Sequence, residues 1–199
     1  PNFKNIEVLR EENLQTEVRL PLRLCVFSRI VEIKGIEDAI NAVNAINKEY
    51  GMQSLSLDLY GPISADYSER FEMLRKDFSK NIRYCGCVPA SESSRVLCGY
   101  FALLFPTRYD GEGHPGTIID AYSAGLPVIA AKWHSFGDFV DEGKTGLGYE
   151  QYNYDALLAV LRWVVENPKQ IHVMRRDCLD KARLYQPEVV MEQISQLMQ

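Results

Sequence analysis

Residues 101–131, FALLFPTRYDGEGHPGTIIDAYSAGLPVIAA, contain two uninterrupted apolar runs separated by a glycine-rich loop and a helix-like segment. The runs at residues 101–105 and 127–131 are typical of strands that are buried on both faces. Residues 117–124 have helical character and end at Gly125, which suits the C-terminus of a helix. This unit predicts two parallel strands with a helix packed across them.

The same alternation extends toward the N-terminus. Further strands are predicted at residues 22–28, 55–60 and 82–85, and helices at residues 36–46, 67–78 and 91–98, the last with Ser91 as its N-cap. Residues 1–20 form an irregular lead-in, and residues 154–199 have helical character with breaks at Pro168 and Pro187. The pattern predicts a single α/β domain over residues 1–199. Its architecture is a Rossmann-like, doubly wound parallel sheet with helices on both faces and a helical C-terminal extension.

The composition is that of a globular protein with a substantial core. Of the 199 residues, 46% are hydrophobic and 25% are charged, and the net charge is −5. The sequence contains neither the roughly 20 apolar residues of a membrane span nor an N-terminal secretion signal. It also lacks the clustered basic face that indicates nucleic acid. We therefore expect a cytoplasmic protein that does not bind nucleic acid.

The five cysteines form neither a zinc nor a disulfide pattern. Cys85 and Cys87 make a C-x-C pair, without the C-x₂₋₄-C spacing and the further ligands of a zinc site. An odd number of cysteines fits reduced thiols better than a disulfide framework. No metal site is predicted.

Doubly wound sheets bind ligands beyond the carboxyl ends of their strands. The first such loop, residues 28–35, carries Arg29 directly after a strand and Lys34 just before the next helix. A planar guanidinium and a compact ammonium at one sheet edge suit a diphosphate, and we therefore predict a phosphate site here. The alternative is a pair of solvated surface charges.

A second loop, residues 106–117, combines three glycines with the start of the following helix. Glycine lets the backbone approach a ligand closely, and helix N-terminal amides favour a negatively charged group. Glu112 on the loop and Asp120, expected in the first turn of the helix, are suited to accept hydrogen bonds from sugar hydroxyls. For Asp120 alone, stabilisation of the helix dipole is an equally good explanation.

Two familiar nucleotide-binding patterns occur in the wrong context. Residues 111–116 spell the dinucleotide fingerprint G-x-G-x-x-G, but they follow the fourth predicted strand instead of the first, and Pro115 interrupts the turn. Residues 143–145 resemble the end of a P-loop, but five residues instead of four separate Gly137 from Gly143. Neither pattern supports a nicotinamide, flavin or P-loop site.

Five segments, in order, resemble the C-terminal nucleotide-sugar-binding domain of a retaining GT-B glycosyltransferase of family 4. They are residues 26–35 (G-R-L…K-G in the family), 59–61 (I-x-G), 82–86 (V-x-F-x-G), 112–129 (E-x₇-E and its E-A-x-A-x-G-x-P-V-I continuation) and 141–146 (D-G-x-x-G). The resemblance covers residues 21–165. It implies the C-terminal half of a GT-B enzyme that transfers a glycosyl group from a nucleotide-diphosphate sugar with retention of configuration.

The resemblance also implies roles for individual residues. Arg29 and Lys34 hold the donor diphosphate, and Glu112 contacts the donor sugar; these three are the expected catalytic residues. The expected donor-binding residues are Gly113, His114, Pro115, Gly116 and Thr117 on the loop, Asp120 at the ribose, Gly61 at a strand end, and Val88 in the base-binding loop of residues 86–89. The donor is UDP-, GDP- or ADP-linked, and neither a metal nor an organic cofactor is expected.

Three residues of the site depart from the family pattern. Ser28 replaces a glycine, and Asp120 replaces a glutamate that is one methylene longer, so that its ribose contact is weaker or water-mediated. His114 stands where an aromatic or small residue is common, and it either donates to a phosphate or has a structural role.

The length implies that an acceptor domain is missing. A GT-B enzyme has a second, N-terminal domain, and a first strand near residue 22 leaves no room for it. We expect a fragment or subunit that binds donor without transferring sugar alone. Its last helix, residues 187–199, would pack on the missing domain, leaving Leu197 and Met198 partly unpartnered. The family suggests bacterial polysaccharide or lipopolysaccharide synthesis, with peripheral attachment of the full-length enzyme to the inner face of the membrane.

Three other functions are alternatives. A non-catalytic nucleotide-sugar-binding subunit of a transferase complex accommodates the substitutions at Ser28 and Asp120. A sugar-nucleotide epimerase shares the architecture, but the loop before Gly113 does not supply its acid/base residues. A dinucleotide oxidoreductase is disfavoured by the position of its fingerprint.

Overall fold

The computed structural model describes residues 7–14, 17–51 and 53–197, which form a six-stranded parallel sheet. The strands are β1 (Leu22–Phe27), β2 (Leu55–Tyr60), β3 (Ile82–Gly86), β4 (Ala102–Phe105), β5 (Val128–Lys132) and β6 (Gly146–Glu150). Their order is β3-β2-β1-β4-β5-β6. The direction of winding reverses between β1 and β4, the switch point at which such sheets bind ligands. The predicted fold class is confirmed.

Helices cover both faces of this sheet. They are α1 (Ile36–Tyr50), α2 (Ser68–Lys76), α3 (Ser93–Leu97), α4 (Gly116–Ser123), α5 (Phe136–Phe139), α6 (Tyr154–Glu166), α7 (Pro168–Val173), α8 (Arg175–Arg183) and α9 (Pro187–Leu197). Helices α1 and α6 pack together on one face, and α4 and α8 on the other. Within the described ranges, no helix has the length and apolarity of a membrane span.

The apolar runs of the sequence become strands shared between two cores. Leu22 and Leu24 of β1 belong to the core under α1 and α6, whereas Cys25 belongs to the core under α4 and α8. Every residue of β4 is buried. Because successive side chains of a strand point to opposite faces, a strand covered on both faces must be apolar throughout.

Two local features differ from the prediction. Strand β6 was not predicted, because its glycines are unfavourable in strands; a Cβ at Gly146 would lie 2.1 Å from the carbonyl oxygen of Val128 on β5. Ser91 does not cap α3, because a 3₁₀ turn at Ala90–Glu92 precedes the helix.

An ion cluster around the buried carboxylate of Asp58 ties β1, β2 and β3 together, with both arginine partners reaching the surface. Asp58 on β2 is 2% exposed, and its carboxylate accepts two hydrogen bonds from Arg83 on β3, at 2.8 and 2.7 Å, and one from the Tyr100 hydroxyl at 2.7 Å. Arg23 on β1 reaches the same carboxylate at 3.3 Å. Burial raises the pKa of Asp58, but the hydrogen bonds from Arg83 and Tyr100 outweigh burial, so the net pKa lies below its ordinary value.

Asp58→Asn is expected to lower the free energy of unfolding at neutral pH by about 2 kcal/mol, because the charge-assisted hydrogen bonds to two arginines are weakened, while the exposed guanidinium groups remain hydrated. The lowered pKa means that the unfolded chain binds this proton more readily than the folded protein does. The stabilisation by Asp58 is therefore present above the unfolded pKa of roughly 3.9 and is lost as pH falls through the folded pKa. Urea unfolding across the acid range measures the effect.

The free energies of unfolding of the wild type and Asp58→Asn should converge as the pH falls. A difference between them that does not change with pH would contradict this account. Asp77→Asn, at an exposed position after α2, is the matched control and should change stability little at any pH.

Candidate functional site

Two loops meet at the carboxyl edge of the sheet, the β1–α1 loop (residues 28–35) and the β4–α4 loop (residues 106–115). Gly35 has a φ of +67°, and a Cβ there would lie 1.9 Å from the carbonyl oxygen of Pro106. The Arg108 amide donates to the Ile33 carbonyl at 2.8 Å. Only glycine permits this approach, because every other residue carries a Cβ.

The contact between these loops places Lys34 against Glu112, 78 residues apart in the chain. Lys34 Nζ donates to Glu112 Oε1, and the Thr107 hydroxyl donates to the same oxygen at 2.7 Å. Nζ also lies 5.9 Å from the ring centre of Phe105 and 5.7 Å from that of Tyr109. Side-chain exposure is 21% for Lys34 and 9% for Glu112, so a cation and an anion from the two predicted loops form one largely buried pair.

Arg29 follows β1 at the same edge, and its side chain is exposed. The backbone on either side is held by β2 and its following loop, since the Ser28 amide donates to Tyr60 at 3.0 Å and the Ile30 amide to Pro62 at 2.9 Å. Within the part of the chain that the structure describes, the guanidinium forms neither an ion pair nor a hydrogen bond. Its charge is therefore available to an anionic ligand.

The glycine-rich part of the β4–α4 loop is open on the side away from the core. Cβ atoms added at Gly113 and Gly116 would meet no atom within 4 Å, whereas Pro115 between them is buried. The Thr117 hydroxyl is buried without a hydrogen-bond partner among the described atoms. Exposed glycines at the start of an eight-residue helix present backbone amides that favour an anion.

His114 packs into an aromatic cluster. Its ring lies edge-on to Phe139 and Tyr185, with centroid distances of 4.8 and 5.6 Å. Burial lowers the pKa of His114 below its ordinary value, so the imidazole is neutral near pH 7. Of the two roles considered for His114, this environment favours the structural one.

Asp120 lies in the second turn of α4, because the helix begins at Gly116, and this corrects the expected first-turn position. The residue is 5% exposed and lines a cleft of about 520 Å³ between the N-terminal segment, residues 7–13, and Ala90, Ser91 and Ser94 of the β3–α3 region. Stabilisation of the helix dipole is confined to the first turn and does not explain Asp120. The cleft instead puts Asp120 beside the connection that carries the predicted base-binding loop.

Gly61 and Val88 complete the expected set. Gly61 has a φ of +134°, and a Cβ there would lie 1.9 Å from the Ser28 carbonyl oxygen. Its amide donates to Gly86 and its carbonyl accepts from the Tyr84 hydroxyl, both at 2.9 Å. These contacts give Gly61 a packing role between the ends of β1, β2 and β3. Val88 is half-buried in the β3–α3 connection.

Two residues that shape the site, Thr107 and Arg108, were not predicted as functional residues. Thr107 is 1% exposed; its hydroxyl accepts from the Tyr109 amide at 3.1 Å and donates to Glu112. Arg108 binds both oxygens of Asp38 on α1, at 2.8 and 2.7 Å. Both residues lie just after β4, at the edge of the sheet where ligands bind, and this position could have identified them from the sequence.

The arrangement can bind an anion that carries hydrogen-bonding groups. Arg29, Lys34 and the amides at the start of α4 favour negative charge, and Glu112 accepts hydrogen bonds. Over residues 7–14, 17–51 and 53–197, no three His, Cys, Asp or Glu side chains are grouped so as to hold a metal ion.

A family model described as "Glycosyl transferases group 1" matches residues 21–167. The chain is similar to the amylovoran biosynthesis glycosyltransferase AmsK of Erwinia amylovora, with 26% identity over 152 residues, 74% of this chain and 37% of that protein. It is also similar to the GDP-mannose-dependent alpha-(1-6)-phosphatidylinositol monomannoside mannosyltransferase of Mycolicibacterium smegmatis. That identity is 24% over 161 residues, 77% of this chain and 41% of the relative. The chain thus spans about two fifths of the length of these relatives.

Solved structures share the fold. Sucrose-phosphate synthase from Thermosynechococcus elongatus superposes with a TM-score of 0.79 at 19% identity, covering 100% of this chain and 51% of that chain. HepE from Anabaena, solved in complex with UDP, has a TM-score of 0.76 at 16% identity, covering 89% of this chain and 48% of that chain. The sheet and helices described above therefore correspond to about half of each solved chain.

Proposed function

Because the chain belongs to the family of group 1 glycosyl transferases, we propose that it is the donor-binding domain of a retaining enzyme that transfers a hexosyl group from a nucleotide-diphosphate sugar to an acceptor. The observation that carries this proposal is the Lys34–Glu112 pair, on the same two loops as exposed Arg29 and the open glycines before α4. These loops offer cations to a diphosphate and a carboxylate to the adjoining sugar.

Arg29 and Lys34 bind the donor diphosphate and stabilise the negative charge that develops on the leaving nucleotide. The amides at the start of α4 add the partial positive charge of a helix N-terminus. Fixed cations stabilise the leaving group without a metal ion, and we propose a metal-independent reaction.

Glu112 accepts hydrogen bonds from hydroxyls of the donor sugar, while Lys34 and Thr107 hold its carboxylate in place. An ammonium has three donors, so Lys34 keeps two for phosphate oxygens when one is directed at Glu112. Asp120 binds the ribose from its cleft, which Ala90 and Ser91 also line. The base lies near Val88, two residues before Ala90 in the same connection.

The names of the relatives support a place in bacterial glycan synthesis, since one acts in amylovoran biosynthesis and one on a phosphatidylinositol mannoside. For the complete enzyme we propose polysaccharide or lipopolysaccharide synthesis in the cytoplasm, with peripheral contact to the inner face of the membrane. An N-terminal GT-B domain would supply the acceptor site and pack on α9. The side chain of Leu197 and all of Met198, expected at that contact, lie outside the described residues.

The chain is expected to bind UDP, GDP or ADP, and Arg29→Ala is expected to weaken that binding about twentyfold. The reason is that a charge-assisted hydrogen bond contributes roughly 1.5–3 kcal/mol. Isothermal titration calorimetry with the three diphosphates and NAD⁺ measures this. Arg19→Ala, an exposed arginine before β1 at the opposite edge of the sheet, is the matched control and should bind like wild type.

Binding of NAD⁺ alone would replace the proposal by an oxidoreductase, and equal diphosphate affinity in Arg29→Ala would remove Arg29 from the site. A non-catalytic nucleotide-sugar-binding subunit is the second candidate, favoured by the shorter carboxylate at Asp120. It predicts the same binding but no sugar transfer when the domain is joined to its acceptor domain.

A further inference from the structure

Tyr152 has the only positive φ, +60°, among the described residues other than glycine, and it is 68% exposed. The left-handed region is unfavourable for a bulky aromatic residue, whereas glycine and asparagine adopt it readily. A ring this exposed buries too little surface to explain why tyrosine occupies the position. Such an outlier points to a constraint imposed by another part of the molecule.

The constraint is a contact between the β6–α6 turn (residues 151–153) and the β4–α4 loop. The Tyr152 hydroxyl donates to the carbonyl oxygen of Arg108, and the Gln151 side-chain amide donates to that of Thr107 at 3.2 Å. Successive side chains of an extended chain point in opposite directions. The turn at Tyr152 is what allows two consecutive side chains to bind two consecutive carbonyls.

Thr107 and Arg108, whose carbonyl oxygens accept these hydrogen bonds, also organise the candidate site. Thr107 donates to Glu112, and Arg108 ties the loop to Asp38 on α1. We propose that Tyr152, assisted by Gln151, is a positioning residue that holds the β4–α4 loop in its donor-binding geometry. This inference rests on the proposed function, because it assigns a support to the loop that would bind the donor.

Two variants separate the hydroxyl from the backbone conformation. Tyr152→Phe keeps the ring and the unfavourable φ but removes the hydrogen bond to Arg108. Tyr152→Asn also removes it but tolerates the left-handed conformation. Tyr154→Phe is the matched control, because Tyr154 is 38% exposed at the start of α6 and its hydroxyl makes no hydrogen bond within the described residues.

In both Tyr152 variants we expect amide hydrogen exchange at residues 107–116 to become about fivefold faster without nucleotide. Affinity for whichever of UDP, GDP or ADP the wild type binds most tightly should fall about fivefold, the equivalent of one hydrogen bond. The Tm of Tyr152→Asn should equal or exceed that of wild type, because the strain is relieved. A purely structural role would lower Tm and affinity together.

Unchanged exchange at residues 107–116 in both variants would overturn the proposal. The proposal would also be overturned if nucleotide affinity fell only in those variants whose Tm also fell. If amide exchange at residues 107–116 becomes faster in the variants but the wild type binds no nucleoside diphosphate, the proposed function is wrong, whereas the support of the loop by Tyr152 is confirmed. If the wild type binds a nucleoside diphosphate but neither the exchange rates nor the affinity change in the Tyr152 variants, the proposed function stands and the positioning role of Tyr152 is wrong.

Discussion

Lys34→Met is expected to weaken nucleoside diphosphate binding about 100-fold, whereas Glu112→Gln is expected to strengthen it about tenfold. Loss of Lys34 removes a charge-assisted contact and leaves the Glu112 carboxylate, 9% exposed, without its counter-charge beside the phosphates. Glutamine at position 112 still accepts from the Thr107 hydroxyl but no longer repels the diphosphate. Like charges several ångströms apart near a protein surface repel by roughly 1–3 kcal/mol.

The double variant Lys34→Met/Glu112→Gln should bind at least about tenfold better than Lys34→Met, because the uncompensated carboxylate is gone. Glu142→Gln is the matched control; Glu142 pairs with Lys132 at 3.0 Å, and both side chains are well exposed. Calorimetric titration of the four variants measures these differences. Weaker binding by Glu112→Gln would show that the carboxylate helps to hold the nucleotide and would contradict this account.

Gly35→Ala is expected to lower the free energy of unfolding by more than about 4 kcal/mol, and Tm by about 10 °C. The left-handed φ of +67° disfavours any Cβ, and the new methyl group would lie 1.9 Å from the Pro106 carbonyl oxygen. The loops cannot move apart without losing the hydrogen bond between Arg108 and Ile33. Thermal and urea unfolding measure the loss.

Gly51→Ala separates the two causes. Gly51 ends α1 with a φ of +105°, and a Cβ there would meet no atom within 4 Å. Its ψ of 151° places it in a backbone region that is restricted essentially to glycine, so Gly51→Ala carries a conformational penalty without the clash, and we expect a loss of about 1–3 kcal/mol. Equal losses in the two variants would contradict a required contact between the β1–α1 and β4–α4 loops.

Much of the fold was predictable because the decisive signals are local. A strand covered on both faces must be apolar at every position, and residues 101–105 satisfy this without an exception. Loops that follow parallel strands share one edge, so Arg29, Lys34 and Glu112 were predicted to lie at the same edge of the sheet.

One error arose where close packing reverses a local preference, and another at a helix boundary. Gly146 and Gly148 weaken the strand signal of β6, yet a Cβ at Gly146 would lie 2.1 Å from the Val128 backbone carbonyl oxygen. Helix α4 begins one residue earlier than predicted. That single residue moves Asp120 from the first turn to the second, where the helix dipole no longer accounts for it.

The types and order of most elements, the doubly wound fold, and the loops that carry the charged residues could all be read from local sequence patterns. The pairing of individual groups could not: Lys34 with Glu112, Thr107 with the same carboxylate, and Tyr152 with Arg108 are visible only in the folded chain. The difference lies in the distance along the chain over which each signal acts. Hydrophobic periodicity is a property of neighbouring residues. An ion pair between residues 78 positions apart depends instead on how closely two loops approach. Here the loops can touch because Gly35 has no Cβ.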